Sequence, residues 1–264
     1  MPGSKIYTMT EYEKVAERVS VIKEKLAVAE QRSGRTSGAV KIMAVTKFHP
    51  EAAVRAAYQA GLRLFGENRV QEAEQKYSAT LKSEIPGIQL DMIGNLQSNK
   101  INKALALFDG IQSVNSLELF QGIVAKLETK NAQSTQAAVG ARLRTKPLRL
   151  FLELNTAEDS KSGFPEEGQL LATVEAYASI LEEQKENIGI SLTGLMTMAP
   201  FTTDEGAIRA SFSTLRRIFE DIRTRFRIPG FTELSMGMSG DYEIAVEEGS
   251  TLVRIGTAIF GERQ

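Results

Sequence analysis

The sequence predicts an α/β protein, a single (β/α)8 TIM barrel preceded by an extra N-terminal helix. Three observations carry that prediction. The chain has 264 residues, close to the roughly 250 of one such barrel. Short apolar runs alternate with helix-like segments through eight units. No linker is long enough to divide them, so residues 1–264 read as one domain, with 1–40 as a helical extension.

The elements follow in order. Residues 9–31 read as a helix, because Val15, Val19, Ile22, Leu26 and Ala29 recur at spacings of three and four with charges between them. A Ser/Gly-rich break at Ser33 to Gly38 ends it. Ile42-Met43-Ala44-Val45 is short and apolar on both faces, as a buried parallel strand must be. Further strand-like runs are Leu62 to Gly66, Leu90 to Gly94, Gly110 to Val114, Arg149 to Asn155, Ile190 to Met196, Thr232 to Met236 and Leu252 to Ile255. Helix-like segments lie near 50–60, 69–82, 97–107, 116–130, 165–184, 203–226 and 240–248. Residues 131–147 break the rhythm with a polar, turn-prone stretch and read as an extended flexible loop before the fifth strand. It belongs to the N-terminal face of the barrel, which serves stability rather than chemistry.

Composition excludes several chemistries. With no cysteine, disulfides, thiolate nucleophiles and Cys-ligated metals are out, and the single histidine, His49, rules out a His-His metal site. A formal net charge of −1 gives no reason to expect a nucleic-acid or anionic-membrane partner. No apolar run approaches the ~20 residues that span a bilayer. Met1 to Tyr7 lacks the apolar core of a secretory signal, so a cytoplasmic location is expected; Glu11, Glu13 and Glu17 argue against mitochondrial import.

A (β/α)8 barrel places its site at the C-terminal strand ends. Read in order, these ends give Lys47, Glu67-Asn68, Gly94-Asn95, Asn115, Asn155, Thr197, Ser235 to Ser239, and Arg254 to Thr257. Lys47 closes an apolar strand. Partial desolvation there would expose a nucleophilic amine suited to a Schiff base; the alternative is a lysine that snorkels to the rim. Ser235-Met236-Gly237-Met238-Ser239-Gly240-Asp241 and Arg254-Ile255-Gly256-Thr257 follow the last two strands, where barrels frequently bind phosphate. Turn glycines with a capping serine are the structural alternative. Asn95 reads as a rim donor or an N-cap, and Glu67-Asn68 as an orienter of Lys47 or a cap. Asn155 to Gly163 reads as a lid or a solvated connection, and His49 as a turn residue before Pro50.

Five motifs stand in order along nearly the whole chain: Ala44-Val45-Thr46-Lys47, Phe65-Gly66-Glu67-Asn68-Arg69-Val70-Gln71-Glu72, Ile93-Gly94-Asn95-Leu96-Gln97-Ser98-Asn99-Lys100, the Ser235 to Asp241 run, and Arg254-Ile255-Gly256-Thr257-Ala258-Ile259-Phe260-Gly261. Together they resemble the pyridoxal phosphate homeostasis protein family, whose barrel is like the N-terminal domain of alanine racemase. The resemblance implies pyridoxal 5'-phosphate (PLP) held as a Schiff base on Lys47. It implies a phosphate cradle from Ser235, Met236, Ser239, Gly256 and Thr257, with Arg254 near the pyridine nitrogen and Asn68, Asn155 and Met196 lining the pocket. It also implies a role in vitamin B6 and amino-acid balance without robust catalysis. Two positions depart from the family: Asp91 stands where relatives often carry His, and Phe48-His49-Pro50 where they commonly carry Thr or Tyr followed by Lys-Pro.

An arginine at the pyridine nitrogen disfavours the proton that makes the ring a strong electron sink. Racemisation would further need a second base, and of Tyr7, Tyr12, Tyr58, Tyr77, Tyr177 and Tyr242 none falls at an obvious strand end, Tyr242 being nearest the phosphate loop. The expectation is therefore a monomeric PLP carrier or buffer, with PLP-dependent apoenzymes as acceptors. The alternatives are a low-rate racemase or lyase, and a phosphate-binding barrel without PLP.

Overall fold

The computed structural model describes residues 12–136, 146–157, 162–183 and 189–262. Eight parallel strands close in sequence order. They are β1 (Lys41–Val45), β2 (Leu64–Glu67), β3 (Gln89–Met92), β4 (Gly110–Val114), β5 (Leu148–Glu153), β6 (Ile190–Met196), β7 (Glu233–Ser235) and β8 (Leu252–Ile255). Closure comes from β1 pairing with β8, with Met43 opposite Arg254. The predicted (β/α)8 barrel is the observed fold.

Outside the strands lie α1 (Val15–Arg32), α2 (Glu51–Gln59), α3 (Val70–Lys76), α4 (Ala79–Glu84), α5 (Ile101–Leu107), α6 (Leu117–Gln136), α7 (Glu167–Glu183), α8 (Glu205–Phe226), α9 (Tyr242–Glu247) and α10 (Thr257–Phe260). Helix α1 is the predicted extension. Its stripe of Val15, Val19, Ile22, Leu26 and Ala29 is buried and covers the closure seam by packing on α2, α9 and α10. Burying each of the larger aliphatic side chains contributes about 1.5–3 kcal/mol. Glu30, also buried, accepts hydrogen bonds from the Gly38 and Val40 amides, both at 2.7 Å, and so fixes the chain's entry into β1.

Alternation along each strand separates two cores. Ala44, Phe65, Leu90, Ile111, Leu150 and Leu192 belong to the layer shared with the helices. Met43, Val45, Leu64, Phe151, Met196 and Leu252 fill the barrel interior.

Three predicted segments differ in detail. The helix expected over 69–82 is two helices, because the Ser78 hydroxyl accepts from the Leu81 amide at 3.1 Å and starts α4 afresh. The helix expected over 97–107 opens with a 3-10 turn, Ser98–Lys100, before α5. Of the loop expected at 131–147, the first six residues continue α6, and 137–145 lie outside the described residues. The polar composition of that stretch concealed its helical continuation. No described helix is long and apolar enough to cross a membrane.

Candidate functional site

Lys47 follows β1 at the C-terminal mouth and is half-buried. The next residue, Phe48, has φ 64°, a left-handed conformation that costs a bulky residue on the order of 1–3 kcal/mol. The surroundings hold it there. The His49 amide donates to the Thr46 carbonyl at 3.0 Å, the Phe48 amide donates to the Glu72 carboxylate, and the Arg69 guanidinium lies 5.6 Å from the Phe48 ring centroid.

Behind this turn sits a buried polar cluster. Lys76 Nζ donates to the Thr46 carbonyl at 2.6 Å, to Glu67 Oε1 at 2.7 Å and to Glu72 Oε1 at 3.0 Å. The Thr46 hydroxyl lies 2.7 Å from Glu67 Oε1 and 2.8 Å from the Tyr77 hydroxyl. Burial pushes the Glu67 carboxyl above its ordinary value, and Lys76 and Thr46 pull it back. Burial, followed by the field of Glu67, pushes the Tyr77 phenol well up. Glu67 is thus not the cap of α3: its Oε1 braces the turn that carries Lys47, while its Oε2 is buried without a hydrogen-bond partner among the described residues. His49 is a turn residue, as expected, with its ring 4.8 Å from that of Phe260.

Beneath the mouth a second chain of hydrogen bonds crosses the barrel. Arg254 Nη1 donates to the Ser235 carbonyl at 2.7 Å and to Ser235 Oγ at 2.8 Å, and Nη2 to the Thr197 carbonyl at 2.8 Å. Ser235 Oγ donates to Gln112 Oε1 at 2.6 Å, and Gln112 Nε2 to Asp91 Oδ2 at 2.8 Å. Arg149 Nη2 closes the chain on Asp91 Oδ1 at 2.6 Å. Burial lowers the Arg254 guanidinium to about 10, against the field of Glu153, so it remains a cation at neutral pH. Burial raises Asp91 to about 6, against the pull of Arg149 and Gln112. The bonds to Arg254 use both Nη1 protons and one on Nη2. Its other N–H groups can serve a ligand.

The remaining expected site residues fall as follows. Asn68 follows β2, and its Oδ1 is buried without a hydrogen-bond partner among the described residues. It is pressed against Gly94, where any Cβ would lie 2.4 Å from the Asn68 carbonyl oxygen. Asn95 is exposed on the rim, and it is not the cap: Gln97 precedes the 3-10 turn and Lys100 precedes α5. Asn155 accepts the Ala157 amide at 3.2 Å, and its own amide donates to the Phe164 carbonyl at 3.0 Å. Met196 packs in the interior beneath the mouth. Met236 is buried in the helix-facing core, with its amide on the Leu252 carbonyl and its carbonyl accepting from Ser250. Ser239 accepts the Ala258 amide at 3.1 Å, joining the loop after β7 to α10, and Gly256 and Thr257 open that helix.

The Ser235 hydroxyl proton is already donated to Gln112, so Ser235 supports Arg254, and the Met236 side chain faces away from the mouth. Gly237 is the residue its loop demands: φ is 96°, and a Cβ would lie 2.6 Å from that of Ala245. A cleft of about 810 Å³ between α1 and this loop is lined by Arg18, Lys25, Arg209, Ser239, Tyr242 and Ala258. Over the fifth strand, Ser162 donates to Glu153 Oε2 at 3.0 Å and accepts from Asn115 Nδ2 at 3.2 Å.

A lysine, an unpartnered amide and a buried arginine at one barrel mouth can be compared with known proteins. The family model described as alanine racemase, N-terminal domain, matches residues 19–264. A pyridoxal phosphate homeostasis protein of Pseudomonas aeruginosa is 36% identical over 252 residues, 94% of this chain and 96% of the relative. The chain belongs to the pyridoxal phosphate homeostasis protein family. Among solved structures similar to this family member, an unknown protein from Bifidobacterium adolescentis has a TM-score of 0.82 at 32% identity, covering 97% of this chain and 98% of the other. PipY of Synechococcus elongatus, described with PLP bound, has a TM-score of 0.71 at 30% identity, covering 94% of this chain and all of its own.

Sequence reading missed Gln112, Arg149, Lys76 and Tyr77 as parts of the family member's site support. Gln112 and Arg149 carried a signal: each is polar at a strand position that alternation turns into a closed barrel's interior.

Proposed function

We propose that the protein holds PLP as a reversible Schiff base on Lys47 and acts as an intracellular carrier or buffer in vitamin B6 and amino-acid homeostasis. The observation that carries this is the convergence of Lys47, Asn68 and Arg254 on one mouth of the barrel, with the loops after β7 and β8 beside them. The residues present fit the cofactor. Lys47 would supply the amine for a reversible imine linkage to the PLP aldehyde, with water as the other product. The buried, unpartnered Asn68 Oδ1 suits a ligand hydroxyl, since burying it without a partner costs about 1–3 kcal/mol. Ser239, Gly256 and Thr257 would hold the phosphate, and Asn155 would shape the wall. Arg254 can only donate, so it would favour an unprotonated pyridine nitrogen as its partner. When bound, PLP supplies a conjugated ring able to delocalise charge; this arginine restrains that capacity.

A racemase reading requires a second proton-carrying group opposite Lys47. Among the described tyrosines, Tyr12, Tyr77, Tyr177 and Tyr242 are buried outside the barrel interior, and Tyr58 lies on α2 under Arg63. That arrangement favours carriage over turnover. The protein is proposed to work as a cytoplasmic monomer, with PLP-dependent apoenzymes as acceptors.

Mixing the PLP-loaded protein with an apo-aminotransferase tests this. The acceptor should gain activity as the donor loses its chromophore, with no racemisation or lysis of amino acids by the donor alone. Sustained amino-acid turnover that is lost in Lys47→Ala would replace the carrier with an enzyme.

A further inference from the structure

The interior side-chain hydrogen bonds that start at Arg254 and at Arg149 run toward each other and meet at Asp91. Arg254 and Arg149 can only donate, so a chain joining them needs a group that accepts from both directions. Asp91 takes Arg149 on Oδ1 and Gln112 on Oδ2. The Gln112 amide is thereby fixed with Oε1 toward Ser235, the Ser235 proton must point at Gln112, and the Ser235 lone pairs face Arg254. Each bond polarises the next in a low-dielectric interior. Arg254 makes no direct ion pair among the described residues. Glu153 and Asp241 act on it through space, whereas Asp91 is the carboxylate it reaches by hydrogen bonds, through two neutral side chains.

We propose that Asp91 and Gln112 are positioning residues for Arg254: together they set which guanidinium N–H groups are spent on the barrel and which face the ligand ring. This rests on the reading of the site as a PLP pocket. Neither residue touches the ligand; both act through Ser235.

The direction of the chain makes the inference testable. In Asp91→Asn, the new amide offers one acceptor where two are needed. Arg149 keeps that oxygen, Gln112 must turn its own oxygen toward the new NH2 group, and its Nε2 then drives a proton at Ser235. Ser235 can no longer donate to Gln112, and its bond to Arg254 is re-aimed. Adding Gln112→Glu restores the original direction, because the introduced carboxylate accepts from both the amide at position 91 and the Ser235 hydroxyl. The double variant keeps the size of both side chains and the count of carboxylates.

The experiment measures the absorption spectrum of PLP added to each purified protein, the PLP dissociation constant, and thermal stability without ligand. Asp91→Asn should shift the visible band and weaken PLP at least several-fold, and Asp91→Asn/Gln112→Glu should recover both. Gln112→Met, which deletes the relay, should reproduce the single-variant spectrum, and it carries the test if Asp91→Asn does not fold. A wild-type band and affinity in Asp91→Asn or Gln112→Met, with only melting temperature changed, would overturn the proposal. So would a double variant no closer to wild type than the single. If the wild-type protein forms no band with PLP, the PLP reading falls and this inference with it.

Discussion

Replacing Lys76 by methionine isolates what holds the Lys47 turn. Lys76 is 6% exposed and its partner Glu67 fully buried, with 2.7 Å between them. Methionine fills a similar volume but leaves the Glu67 carboxylate with only the Thr46 hydroxyl and removes the donor to the Thr46 carbonyl. Breaking a buried pair in this way typically costs about 3–5 kcal/mol. For a barrel of this size each kcal/mol moves the melting temperature by about 2–4 °C, so a fall of roughly 10 °C is expected. The sign of the pH dependence follows from Glu67. Burial already raises its carboxyl in the folded state, and Lys76 opposes that rise. Without Lys76 the folded carboxyl binds its proton more tightly than the unfolded one, so stability falls as pH rises above the ordinary glutamate range. The deficit should therefore be larger at pH 8 than at pH 5 in calorimetry. Glu67→Gln/Lys76→Met should recover most of it. A fall under about 2 °C, or a deficit independent of pH, would refute the assignment of this pair as the brace.

Further predictions follow from other parts of the site. Asp91 rises from 3.8 to about 6 on folding, equivalent to roughly 3 kcal/mol. The native state holds the proton the unfolded state loses, so the Asp91 contribution to stability declines as pH rises through that window. Urea midpoints from pH 4 to 7 should show Asp91→Asn losing that decline; a stability difference from wild type that stays constant with pH contradicts it. Gly163 has φ 127°, and a Cβ there would lie 2.5 Å from the Asn155 amide nitrogen. Gly163→Ala should cost at least about 2 kcal/mol and weaken PLP binding, as read by titration; unchanged affinity would remove Asn155 from the pocket wall. Lys25→Ala breaks an exposed 3.0 Å pair with Glu243 and should move the melting temperature by no more than about 3 °C, since such pairs contribute little.

The barrel was legible because its strands are short, largely apolar runs that alternate with helical segments, and because α1 carries an unbroken stripe from Val15 to Ala29. Boundaries were less so. Ser78 restarts a helix in a stretch whose charges suit one continuous helix, and residues 131–136 remain helical despite polar composition. At the site, Lys47 stood out as the one cation closing an apolar run. Ser235 read as a phosphate donor because sequence shows a hydroxyl at a strand end but not where its proton goes; that depends on Gln112, 123 positions away in the chain. Lys76 was hidden for a similar reason. A lysine on a helix reads as solvated unless the carboxylate that buries it is known.

The central claim is that Lys47 anchors PLP. Its most direct test is the visible spectrum of the purified protein with added PLP, before and after borohydride, for wild type and Lys47→Ala, followed by peptide mapping. The account predicts an imine band that borohydride fixes onto the peptide containing Lys47 and that the variant lacks. No band in the wild type, or a label fixed on another lysine, would contradict it.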